Sequence, residues 1–379
     1  MFRVTLLAAA LTAAFPAFAQ SDLDALRVEL KDMKTAYEAR IAALEARIQQ
    51  ADTKPAAAPT PTATPAPQAD SAPARSGFNP DISLILQGRY AHLDDIDERR
   101  IEGYLPAGHA HGDGAARGFS VDGTELILSA SIDPYFRGQA ILALLDEEVE
   151  IEEAWVQTTS LGHGMSVKGG RFRSGLGYQN EKHPHAWDFA DSSLMYRALF
   201  GEGYSHDGVQ LKWVAPTALF VELGAEAGRG AGFPGTDRNQ NGAGATTLFG
   251  HVGGDVGASN SWRAGLSWLH AKADEREGEL EDLNDEHAET FFSGTSKTWV
   301  ADFVWKWAPD GNARERNFTF AAEYFRRAER GSLECEDNTP AGACDESNAD
   351  TVGAYRSNQS GYYAQAVYQF MPRWRTGYR

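Results

Sequence analysis

From residue 79 onward the chain alternates apolar and polar side chains over segments of about 9–12 residues, each followed by a turn or a long polar loop. A period of two defines strands with one greasy face and one polar face. In ISLILQGRYAHL, residues 82–93, Ile82, Leu84, Leu86, Gly88 and Tyr90 oppose Ser83, Gln87 and Arg89. The pattern returns in GTELILSASI, LFVELGAEAG, WRAGLSWLH, WVADFVWKW and YYAQAVYQF. Less regular segments lie near 136–144, 149–158, 165–178, 209–214, 248–256 and 318–325, giving about thirteen strands and a last fragment at 374–378.

The polar faces carry full charges: Arg89, Glu125, Arg137, Lys168, Lys212, Glu222, Glu226, Asp255, Arg263, Asp302, Lys306 and Glu323. A dry core does not hold unpaired charges, whereas a water-filled lumen does. The apolar faces are rich in Leu, Val and Ala at mid-strand, with Trp, Tyr and Phe near strand ends, as a membrane girdle requires. The expected fold class is therefore all-β, a transmembrane antiparallel β-barrel with those twelve residues lining its pore. In hydrocarbon only a closed barrel satisfies every backbone group of such strands. A formal net charge of −18 argues against nucleic acid as a partner. No run after residue 20 approaches the roughly 18 apolar residues of a membrane helix.

Residues 1–19, with Arg3, an apolar centre and Ala17-Phe18-Ala19, read as a signal peptide. Residues 20–54 carry Leu23, Leu26, Leu30, Met33, Tyr37, Ile41, Leu44 and Ile48 at heptad spacing with one stutter, predicting a coiled coil and favouring a homotrimer. Residues 55–77 alternate Pro with Ala and Thr, an extended spacer. The barrel then occupies 78–379, with the coiled coil on its periplasmic side. Barrels of this class have an even strand number, so sixteen or eighteen strands are expected, the last of them lying beyond WRTGYR.

Residues 180–207 are too apolar for a solvated loop and are expected to fold inward and constrict the channel. Two His-x-His pairs, His109 with His111 and His183 with His185, each place two imidazoles on one side of an extended segment. With Asp113 or Asp188 nearby they are candidate ligands for zinc or another divalent cation, against the plainer reading of polar loop histidines. Acidic runs at 94–98, 146–153 and 273–286 read as solvated loop surface, or as bridges through divalent ions to lipopolysaccharide. Cys335 and Cys344 are expected to form a disulfide stapling a loop, worth about 2.7 kcal/mol on the chain-entropy argument. No nucleophile elbow, zinc-protease helix or phosphate-cradling loop appears, so no enzymatic activity is expected.

The stretches FNPDISLILQGRYA, DPYFRGQA, GRFRSGLGYQNEKHPHAWDFAD, MYRALFGEG and DGVQLKWVAPTALFVELGAEAGRG resemble a proteobacterial family of outer-membrane proteins labelled zinc-regulated and TonB-dependent-receptor-like. More distantly, the layout of helix, Pro-rich linker and barrel is similar to trimeric porins with an N-terminal coiled coil. The resemblance implies a Gram-negative outer-membrane barrel. Energy-coupled receptors of that kind carry a globular plug, whereas only a helix and a linker precede the first strand here. The implied activity is thus a passive or substrate-gated porin for small hydrophilic solutes. A zinc-linked receptor and a tether to peptidoglycan are the alternatives.

Overall fold

The computed structural model describes residues 80–94, 104, 117–121, 123–144, 149–281, 287–336 and 350–379. The expected signal peptide, coiled coil and linker, together with His109, His111, Asp113 and Cys344, lie outside the described residues.

Among the described residues thirteen strands build one antiparallel sheet. It begins with β1 (Asp81–Ile85), which pairs with β4 (Glu125–Ser131). Every later strand pairs with the next in sequence: β5 (Phe136–Leu144), β6 (Val149–Thr158), β7 (Met165–Arg173), β8 (Ser205–Val214) and β9 (Phe220–Gly228). The series continues through β10 (Ala245–Val256), β11 (Asn260–Glu281), β12 (His287–Trp307), β13 (Asn317–Glu336), β14 (Asp350–Met371) and β15 (Trp374–Tyr378). Two short strands, β2 (Gly88–Ala91) and β3 (Gly118–Val121), pair among the described residues only with each other. The alternating stretch 82–93 is therefore two strands in two sheets, a division that periodicity does not mark.

Four strands outrun their sequence signal. β11 to β14 hold 20 to 22 residues each, because cross-strand pairing continues after the apolar alternation stops. The acidic stretch after residue 273 accordingly runs on as strand to Glu281 instead of forming a loop. Cys335 sits in β13, not in a loop, and is disulfide-bonded.

The two faces invert the usual distribution. On the outer face the register stacks apolar side chains into rungs. From the short-turn end these are Trp307–Phe318–Tyr368, then Trp262–Trp305–Phe320–Ala366, Ala264–Phe303–Ala322–Ala364 and Leu266–Ala301–Tyr324–Tyr362. The next rung, Trp268–Trp299–Arg326–Ser360, begins the change, and above it stand His270, Lys297 and Asn358, then Lys272, Arg330 and Arg356. Many outer-face apolar side chains are exposed, among them Leu266 at 54% and Tyr362 at 76%. The inner face instead buries Glu125, Glu222, Glu226, Asp302 and Glu323, each at 7% exposure or less.

The sheet is rolled around its inner face. β4 and β15 are eleven strand spacings apart, roughly 50 Å in a flat sheet. Yet Glu125 of β4 lies 2.9 Å from His185, and Arg375 of β15 lies 3.1 Å from Asp188. Three residues of chain reach at most about 10 Å, so the two strands must curve round to meet one segment. Among the described residues β1 and β15 each pair with a single neighbour.

Tight interior packing has a checkable consequence. The Phe249 ring, 4% exposed, lies over both Gly224 and Gly175, and a Cβ built on either glycine collides with it. Gly224→Ala should lower the unfolding free energy by about 1–3 kcal/mol in urea titration of the refolded chain. Adding Phe249→Leu should recover most of that loss, and purely additive effects would show that the ring is free to move aside.

Candidate functional site

Residues 174–204, between β7 and β8, fill the inside of the rolled sheet. Their ends are pinched by Asn180. Its side-chain amide donates to the Ser174 and Tyr204 carbonyls, both at 2.8 Å, and its side-chain oxygen accepts from the Tyr204 N–H at 2.7 Å. Besides a 3-10 turn at Pro184–Ala186, the segment holds one short α-helix, α1 (Leu194–Phe200), which stops at Gly201 in the left-handed conformation, φ 59°. Leu176, Tyr196, Leu199, Phe200 and Tyr204 pack into one cluster with Leu269, Ala271, Val300, Phe325 and Tyr363 of the wall. An inward fold was expected for 180–207; the inward chain runs from 174 to 204, and Ser205 to Asp207 belong to β8.

Carboxylates of the wall seat this segment. Glu226 of β9 accepts from the Ser174 hydroxyl at 2.5 Å, the Gly175 N–H at 2.9 Å and the Gln210 amide at 2.8 Å, with His206 Nε2 3.1 Å away. Glu323 of β13 accepts from the N–H groups of Tyr178 (2.7 Å) and Gln179 (3.2 Å) and from the hydroxyls of Tyr196 and Tyr363. Arg263 of β11 reaches the Gly177 carbonyl at 3.0 Å while pairing with Asp302 at 3.4 Å and Glu181 at 3.5 Å. Register places Glu222, His251, Gly265, Asp302, Glu323 and Tyr363 on a single inner rung. On the segment itself, burial pushes the Tyr196 and Tyr204 hydroxyls well above the ordinary range, so both stay protonated and Tyr196 serves as a donor to Glu323. Burial also pulls the Lys182 ammonium down to about 8, where it sits 3.6 Å from the centre of the Tyr178 ring.

The remaining charged positions divide by depth. Lys212 pairs with Glu222 at 3.0 Å, and Lys168 and Arg137 stand over the Trp155 ring. Asp255 and Lys306 both face Ser261 near the short-turn end and are exposed. Arg89 is half-buried opposite Ser120 in the small two-stranded sheet. The expectation of charges standing in open water is corrected for five acidic groups: Glu125, Glu226 and Glu323 are buried against residues 174–204, and Glu222 and Asp302 are buried beside His251.

A second focus lies where β4 and β6 meet this segment. The β5–β6 register slips between Ile141 and Leu142, leaving Glu152 as the extra residue of a β-bulge. Glu152 and Glu153 consequently both meet the imidazole of His183: Glu152 at 2.6 Å from Nδ1, and Glu153 at 3.6 Å from Nε2. Glu125 lies 3.6 Å from His183 Nδ1 and 2.9 Å from His185 Nδ1, and the two imidazole rings stack at 5.9 Å. Burial alone would lower the His183 pKa, but the hydrogen bonds that its ring donates to two glutamate partners outweigh that and hold it at about 9.

His183 and His185 are thus brought together as their spacing suggested, though not with Asp188. That carboxylate faces the other way, accepting from Gln365 at 3.2 Å and Arg375 at 3.1 Å. The residues that do join them are Glu125, read as pore-lining, and Glu152 and Glu153, from an acidic run read as loop surface. No sequence signal marks the bulge that turns them inward; only pairing with β5 reveals it.

No protein-family model matches the chain. An uncharacterized protein of Aquifex aeolicus (strain VF5) is 33% identical over 323 residues, 80% of this chain and 64% of that protein, so the chain spans under two thirds of this relative's length. Among solved structures, Pseudomonas putida OprB at high pH matches with a TM-score of 0.30 and 12% identity, covering 67% of this chain and 81% of that one. OmpT, an outer membrane protein of Vibrio cholerae, matches with a TM-score of 0.30 and 14% identity, covering 69% and 79%. At that TM-score neither likeness bears on what this chain does.

The seat predicts how the segment is released. Gly177 has φ +66°, and a Cβ there would strike the Glu323 carboxylate and the Tyr196 hydroxyl. Gly177→Ala, and separately Glu323→Gln, should speed tryptic cleavage after Lys182 and Arg197 about tenfold or more, since losing a buried charged partner costs over 1.4 kcal/mol. The long strands should stay protected on the same gels. Unchanged cleavage would show that these contacts do not hold the segment.

Proposed function

We propose that this chain forms the wall of a Gram-negative outer-membrane barrel that passes small hydrophilic solutes, with residues 174–204 setting the bore. The outward rungs carry this reading. Ala264, Leu266, Ala301, Ala322, Ala364 and Ala366, with Phe303 among them, form a belt of mainly small and aliphatic side chains. Trp262, Trp305, Trp307, Phe318, Phe320 and Tyr368 flank it on one side, and Trp268, Trp299, Tyr324 and Tyr362 on the other. From Trp299 to Trp307 the belt takes nine residues of β12, the length a tilted strand needs to cross a bilayer, about 9–11 residues. An aqueous surface offers no reason for such a band to be continuous across neighbouring strands, whereas hydrocarbon requires one.

Charge on the same face supports an orientation. Within the second aromatic row stands Arg326, and just beyond it Lys272, Lys297, Arg330 and Arg356, all exposed and outward. Five cations gathered on one face of a chain of net charge −18 suit the phosphate groups of lipopolysaccharide. That assigns the long-strand end to the cell exterior and the short turns to the periplasm. Inside, a charged wall favours hydrated ions and polar solutes over apolar ones.

Planar-bilayer recording tests passage. The wild-type chain should give discrete, small conductance steps, and Gly177→Ala should give larger ones; the absence of steps from both would remove the porin reading. Position within the bilayer is tested separately by charge insertion. Ala364→Arg, in the middle of the belt, should cost about 2–4 kcal/mol of folding free energy in liposomes, against about 0–1 for Asn358→Arg above it. Equal costs would mean that no hydrocarbon surrounds the belt. The headgroup assignment predicts that Arg326→Glu/Arg330→Glu protein retains less lipopolysaccharide on purification, read as bound phosphate.

A further inference from the structure

The geometry points to a divalent-metal site of the zinc class held by Glu125 of β4, Glu152 of β6 and His183 of the inward segment. One donor atom from each lies within 4.8 Å of the other two. Zinc bonded at about 2.1 Å to nitrogen and oxygen brings neighbouring donors to about 3.4 Å, so a small inward adjustment closes the set. One imidazole with two carboxylates is a donor combination for zinc or a similar transition ion, where calcium and magnesium favour oxygen alone.

Two further observations separate this from a plain acidic cluster. Glu125 is 1% exposed, and its Oε2 has no hydrogen-bond partner although it lies 3.6 Å from His183 Nδ1. A buried carboxylate oxygen without a donor is costly, and a cation at this point would satisfy it. The surrounding groups also hold the three ligands as an outer shell should. His185 Nδ1 lies 2.9 Å from Glu125 Oε1, and Glu153 Oε1 stands 3.6 Å from the far nitrogen of His183. Glu153 is itself fixed by the Trp155 indole N–H at 2.8 Å and the Arg173 N–H at 3.0 Å. The competing cation is the Arg173 guanidinium, 3.8 Å from Glu152 Oε1. A protonated His183 bridging its neighbours accounts for the 2.6 Å contact to Glu152 but leaves Glu125 Oε2 without a partner.

The site itself does not depend on the porin reading. Its consequence does: a metal bridging β4 and β6 to residues 174–204 would pin the bore-setting segment to the wall.

The test uses the full chain in detergent, stripped with EDTA and then titrated with zinc chloride. Metal content after gel filtration should be retained by the wild type and by His109→Ala/His111→Ala. Glu152→Gln and His183→Gln should bind about tenfold more weakly or worse, with folding checked by heat-shifted mobility on gels. A wild type that binds no zinc, or binding that follows His109 and His111 instead, overturns the assignment. A measurement on the wild type alone guards against variants that fail to fold. Zinc-edge X-ray absorption should show a nitrogen and oxygen shell with one imidazole, and sulfur or several imidazoles would refute the set. Bilayer conductance is read independently, so failure of this site leaves the porin reading standing and the reverse.

Discussion

A carboxylate on the inner face of a rolled sheet loses its water once the bore is filled, and it then needs a donor within hydrogen-bond reach. In this molecule the donors come from the filling itself. Glu226 takes the Ser174 hydroxyl and the Gly175 N–H, and Glu323 takes two backbone N–H groups and two tyrosine hydroxyls. Wall and segment each supply what the other lacks. Without residues 174–204 these acids would face water; without the acids the segment's turn at residues 174–180 would bury its N–H groups unpaired.

That mutual requirement makes the interior specific as well as full. Hydrophobic packing alone, through α1 against Leu269, Val300 and Phe325, would hold the segment in the bore without fixing its turn. The directional contacts fix it. Arg263 meets the Gly177 carbonyl, Asn180 ties the two ends, and Asp188 and Asp191 engage Arg375 and Arg379 on the last strand and the residue after it. Because those partners sit on strands far apart in the sheet, the same contacts that place the segment also hold the curvature of the wall. A loosening at one point, such as Glu323, is therefore felt as freedom of the segment before it is felt as loss of the sheet, whose own ladders are unaffected.

Much of the wall was legible from period-two alternation, since segments such as WVADFVWKW announce which side chains share a face. Trp299, Ala301, Phe303 and Trp305 do lie outward, while Asp302 lies inward and buried. The alternation was silent where apolar content falls away. It ended β11 and β13 too early, because backbone pairing between neighbours sustains a strand after its side chains turn polar. It merged β1 with β2, because a change of pairing partner leaves no mark on periodicity. At the candidate site, the pairing of His183 with His185 followed from their spacing, but the carboxylates around them did not. Asp188, three residues from the His185 ring on the same segment, points to Arg375, whereas Glu125 and Glu152, tens of residues away, arrive at the imidazoles.

The sequence by itself determined the local rule: two residues per repeat, apolar on one face, charged on the other, interrupted by short turns on one side and longer loops on the other. Such information is carried between residues a few positions apart, where backbone geometry fixes which way each side chain points. Only the tertiary structure decided what the charged face meets. The roll of the sheet, the register slip that exposes Glu152 to His183 and the burial of the inner acids all depend on contacts between residues tens to hundreds of positions apart. Those contacts form because unpaired charge inside a filled bore is costly, and that cost exists only after the wall has curved around the segment.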